Sequence, residues 1–169
     1  METRKLELKD IAGYLPYGLW CCYDTEDMSV EELGGVSPEH WLDKFGSVID
    51  CIDEEIKPIL RPISDLYKTI THNGKEIIPI VELAKTVIST VDWKIEKTDC
   101  TEVTTCRCKS FMFDLIGNGF HLYNGKTPLG ISNQYQLFDY LHELKIDYRG
   151  LIDAGLAISV YDFDINPYK

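Results

Sequence analysis

Three cysteines fall within nine residues, CTEVTTCRC at 100–108, and they are the sharpest chemical feature of this chain. On a β-strand side chains alternate, so Cys106 and Cys108 face the same way, with α-carbons about 7 Å apart. Two thiolates at that spacing can converge on one zinc ion, although CxC is shorter than the usual two-to-four-residue spacer. Cys100 lies six residues before Cys106 and His121 thirteen after Cys108. A site of three cysteines and one histidine is therefore one reading of Cys100, Cys106, Cys108 and His121. The alternative is that small apolar thiols line a buried strand, since free Cys is among the most buried residue types. No CxxC pair supports the metal, so no cofactor is the primary expectation and zinc the alternative.

Other motif-like stretches fail on spacing. GFHLYNGKT (119–127) places five residues between Gly119 and Gly125, one more than a phosphate-binding loop allows. His142-Glu143-Leu144 opens like a zinc-protease helix, but Ile146 stands where the second histidine belongs. Asp24, Glu26 and Asp27 lack the glycine and terminal glutamate of a calcium loop. The four histidines are scattered, and no acid–base pair with an orienting partner is recognisable. The chain reads as a non-enzyme.

Charge is the stronger signal. The net charge is −11, and residues 1–57 carry 14 acids against five bases. Residues 58–99 balance at six and six, and residues 100–169 hold eight acids and six bases. So acidic a face repels phosphate backbones, which argues against direct nucleic-acid binding. It is either a solubilising surface or a docking face for a basic protein partner. The residues for such a face are Asp24, Glu26, Asp27, Glu31, Glu32, Asp53, Glu54 and Glu55.

The elements that must position these residues follow from pattern. At 169 residues and 44% hydrophobic the chain suits one domain, 1–169, with a real core. LELKDIAGYL (6–15) has helical spacing, and LWCCY (19–23) reads as a strand with Trp20 and Cys22 on one face and Leu19 and Cys21 on the other. Residues 24–35 read as an acidic loop. Ser37 and Pro38 start a helix, and SVIDCID (47–53) is a strand. Pro58 and Pro62 force an extended, kinked path. Ser64 caps a helix through His72, unless Asn73-Gly74 turns a hairpin. Pro79 opens a helix with Ile80, Leu83, Ala84, Val87 and Ile88 on one face. Residues 103–123 form an antiparallel hairpin. Ser132 caps a helix striped by Tyr135, Phe138, Leu141 and Leu144; DYRGLIDAG is a further short helix, and 156–163 a last strand. The expected fold is a single α+β domain, a mostly antiparallel sheet with four or five helices packed against it.

No stretch approaches the ~18 apolar residues of a membrane span, and the start lacks a secretory pattern. A reducing cytoplasm is the expected compartment, with the cysteines as thiols.

YLPYGL (14–19), IKPILRPISDL (56–66) and YLHELKIDYRGLIDAGLAISV (140–160) together resemble a group of short, uncharacterised proteins carried by phages and prophages of Bacteroides-type bacteria. Ile146 stands where that group has Phe. The resemblance covers about a quarter of the chain and implies a phage origin and a bacterial cytoplasm, with no activity or catalytic residues attached. The expected role is an accessory protein that binds a basic host protein. A zinc–thiolate module or a self-associating virion or assembly component, hence a homo-oligomer, are the alternatives.

Overall fold

The computed structural model describes residues 4–24, 29–33, 57–89, 92–97, 104–164 and 166–168. The helix expected from Ser37 and the strand expected at 47–53 lie outside them. The chain divides into two compact units, one built from 1–63 and 141–168 and one from 64–140.

In the first unit, α1 (Leu8–Ile11) and a 3-10 turn (Leu15–Tyr17) lead into β1 (Leu19–Asp24). The expected ten-residue helix is only one turn long, because Gly13 and Pro16 interrupt it. β2 (Ser29–Leu33) pairs antiparallel with β1, Leu19 opposite Leu33 and Trp20 opposite Glu32, so the expected acidic loop contains a strand. β3 (Lys57–Pro62) pairs antiparallel with β1 and parallel with two short strands, β11 (Ile146–Asp147) and β12 (Ile158–Ser159). Its two prolines occupy the second and last positions. The donors between them stay available, and Arg61 N–H bonds the Lys145 carbonyl at 2.7 Å.

Alternation along β1 separates two clusters. Leu19 and Cys21 pack with Leu6, Ile11, Tyr14, Leu33, Leu60, Leu151 and Ala157. Cys22 packs with Ile59 and Val160, flanked by Trp20, Ile158, Phe163 and Tyr168. The two expected faces are therefore real, and both are buried.

In the second unit, the 3-10 turn Ile63–Tyr67 precedes a hairpin, β4 (Ile70–His72) and β5 (Lys75–Ile77). Asn73 and Gly74 both take positive φ, 50° and 71°, the geometry a two-residue hairpin turn requires. The hairpin reading of Asn73-Gly74 wins over the helix. α2 (Pro79–Val87) buries Ile80, Leu83 and Ala84 as expected. β6 (Lys94–Lys97), β7 (Thr104–Cys108), β8 (Phe111–Ile116), β9 (Gly119–Asn124) and β10 (Thr127–Leu129) form an antiparallel meander in the order β10-β9-β8-β7-β6. A turn at Lys109-Ser110, with Lys109 at φ 55°, separates β7 from β8, so the expected hairpin at 103–123 is three strands of the meander. α3 (Gln134–Glu143) follows; it buries Leu137 and Leu141 while Tyr135 is 72% exposed, so the apolar stripe runs through Leu137. Phe113 stacks on Phe120, centroids 5.4 Å apart, and Phe120 meets Phe138 at 5.2 Å.

The expectation of four or five helices on a sheet is overturned. Among the described residues there are twelve strands and three α-helices, one of them a single turn. DYRGLIDAG is the clearest case. The Asp147 carboxylate accepts from the Leu151 and Ile152 amides at 2.9 and 2.8 Å, and that side-chain capture holds the segment in turns where helical bonds would otherwise form.

Candidate functional site

Strand register places two of the three clustered cysteines. Cys106 stands opposite Phe113, which stands opposite Leu122, so Cys106 belongs to the apolar row of the meander. His121 stands opposite Asp114, one residue out of step, and so on the other sheet face. Cys106 and Cys108 share a face and are buried; His121 is exposed and does not join them. Burial, then the charge of Asp114, then Cys108, push the Cys106 thiol up to about 12. Cys100 lies outside the described residues. Among those residues no group of three or more His, Cys, Asp or Glu side chains is gathered for an ion, and Cys21, Cys22, Cys106 and Cys108 are buried.

Asp114 has a different role. It accepts from the Tyr67 hydroxyl and from its neighbour Leu115 N–H. Burial raises its carboxyl above the ordinary range, while these bonds and His121 pull the other way. Burial and the Asp114 contact likewise raise the Tyr67 phenol.

Of the acidic residues, Asp24, Glu31 and Glu32 lie on the β1–β2 ribbon: Asp24 pairs with Ser29, Glu31 with Cys21 and Glu32 with Trp20. Glu26, Asp27, Asp53, Glu54 and Glu55 lie outside the described residues. The Glu32 carboxylate leans over Gly18, where an added Cβ would sit 2.3 Å from its Oε1.

Two constellations that the sequence did not reveal lie in the first unit. One surrounds Lys145, 4% exposed at a left-handed φ of 60° just beyond α3. Its ammonium donates to the Glu143 carbonyl at 2.9 Å and sits 5.2 and 5.7 Å from the ring centres of Tyr168 and Tyr17. Burial, opposed by Glu143 and Glu32 and aided by Arg61, lowers its pKa to about 8. The Tyr168 hydroxyl in turn donates to the Ile59 carbonyl at 2.8 Å and accepts from Trp20 N–H at 3.0 Å.

The other constellation joins Tyr148, His142 and Arg149. His142 Nε2 is 2.9 Å from the Tyr148 hydroxyl, and Arg149 Nε donates to that hydroxyl at 3.1 Å. Arg149 Nη1 also donates to the Lys9 carbonyl at 2.9 Å and lies 4.0 Å from Asp10, which Arg4 pairs at 2.8 Å. The imidazole is clamped. The Tyr14 ring meets it edge-on at 4.8 Å, and a Cβ on Gly13 would fall 2.4 Å from its Cε1. The Tyr14 hydroxyl, raised above its ordinary pKa chiefly by burial, donates to the Ile146 carbonyl at 2.9 Å. The sequence offered His142 only in an incomplete zinc-protease pattern; the signal that could have found the site was the dense aromatic and polar content of Tyr14, His142, Tyr148 and Arg149 within residues 14–19 and 140–160.

No protein-family profile, curated protein or solved structure matches this chain.

Proposed function

We propose that the chain is a non-enzymatic, phage-type accessory protein that acts in the bacterial cytoplasm by binding another protein through its acidic first third. The observation that carries this reading is the charge distribution, 14 acids against five bases over residues 1–57 and near balance beyond. A basic protein surface, such as the groove of a nucleic-acid-handling enzyme, is the electrostatic complement. Asp24 and Glu31 lie on the paired strands β1 and β2 within that acidic third. Glu32 serves a second purpose, because its charge supports the protonated form of Lys145.

The test is affinity capture from bacterial lysate with the native chain and with a variant carrying Lys at 24, 26, 27, 31, 53, 54 and 55. Glu32 is retained so that the Lys145 surroundings are undisturbed. The expected result is capture of a basic protein that weakens between low and high salt and is lost in the variant. An unchanged set of captured proteins overturns the proposal.

A further inference from the structure

The Tyr148 hydroxyl is placed between a base and a fixed cation, and this arrangement suits chemistry that protein docking does not use. Arg149 can only donate, so Tyr148 Oη accepts from it. The neutral imidazole tautomer that leaves Nε2 unprotonated then takes the phenolic proton as its hydrogen-bond partner at 2.9 Å. A nucleophile and base within hydrogen-bond reach, with the base held by a third group, is the structural signature of an activated hydroxyl. Here Gly13 and Tyr14 hold the base. The surroundings also have a sign. Arg149 carries it: in the segment it reaches through the Lys9 carbonyl and Asp10, Arg4 is paired with Asp10 and Lys9 with Glu7. The Arg149 guanidinium at the hydroxyl favours an anionic electrophile and is in place to pair with a transferred phosphoryl group.

We propose that Tyr148 is a phosphoryl-acceptor site, with His142 as its built-in base and Arg149 as the cation that receives the transferred group. The donor is an acyl phosphate. Tyr148 Oη attacks phosphorus, the Oη–P bond forms and the P–O bond to the acyl group breaks. The bonding pair leaves on the carboxylate, and the phenolic proton passes to His142 Nε2 and then to water. The product is phosphotyrosine, whose oxygens meet the Arg149 guanidinium. This site stands apart from the acidic docking face, so either proposal can fail without the other.

The experiment treats the folded full-length chain with acetyl phosphate and locates phosphotyrosine by tandem mass spectrometry over time. Tyr135 and Tyr161, at 72% and 60% exposure, are the internal comparison; the Tyr135 hydroxyl pairs only with the neutral Gln136 side chain among the described contacts. A general base contributes roughly 10²–10⁴ in rate, so Tyr148 should be modified at least about tenfold faster than either. His142→Gln should remove most of that advantage with an unchanged circular dichroism spectrum, and Tyr148→Phe should remove the product at that site. An unmodified Tyr148, or equal modification of Tyr135 and Tyr161, overturns the proposal using the native chain alone. So does a His142→Gln variant that retains the native rate.

Discussion

Lys145 combines three costs in one residue. It is buried, it adopts a backbone conformation that a β-carbon disfavours, and its charge lies close enough to Arg61 for the two to repel. Its pKa falls to about 8 from 10.5. Between those values the unfolded chain holds a proton that the native chain releases, so native stability rises as pH increases through this window. Below about pH 8 both states are protonated and the penalty is present in full. A shift of this size corresponds to roughly 3 kcal/mol. Urea titrations of the native chain and Lys145→Met should therefore differ in slope between pH 8 and 10, the native chain gaining relative to the variant. Parallel pH dependences would show that the ammonium is solvated. The spacing of HELKID gives no hint of any of this; Lys145 reads as a helix-end lysine interacting favourably with the last carbonyls. Its burial depends on Tyr17 and Tyr168, residues more than a hundred positions before it and more than twenty after.

The elements were legible where local chemistry and packing agree. Asn73-Gly74 turns a hairpin because both residues tolerate positive φ. Pro79 starts a helix because a first-turn position needs no N–H donor. They were misread where a side chain competes with the backbone for its donors, as when Asp147 captures two amides four and five residues on and turns 148–155 away from the helix. Gly13 offers a test at this scale. Its missing side chain lets the segment after α1 lie against the His142 ring, and an added Cβ would approach Cε1 at 2.4 Å. Gly13→Ala should cost about 1–3 kcal/mol by overpacking. Most of that cost should vanish in a His142→Ala background, because the cycle isolates the contact. Additive losses in the double variant would place the strain elsewhere. The candidate site was half legible: Tyr14, His142, Tyr148 and Arg149 stand in the stretches 14–19 and 140–160, but their meeting depends on β3 pairing with both β1 and β11.

For the whole molecule, the first unit is discontinuous, formed by 1–63 and 141–168, whereas the second is the single stretch 64–140. That stretch contains its own meander, two helices or the greater part of them, and a core of Leu66, Ile80, Leu83, Phe113, Phe120, Leu122 and Leu137. A continuous unit with its own core can fold alone. Residues 64–140 expressed by themselves should show a cooperative thermal transition and a β-rich circular dichroism spectrum, while a non-cooperative melt would mean that this core needs the rest of the chain. The sequence by itself determined the charge asymmetry, the β1 face alternation, the turn glycines and the proline-started helix. Each of these follows from residue type or from a period of two or 3.6 along the chain. Only the tertiary structure decided that His121 lies on the sheet face away from Cys106, that Lys145 is buried beside Arg61, and that Tyr148 touches both His142 and Arg149. Those outcomes depend on strand register and long-range packing, which exist only once separate segments have paired.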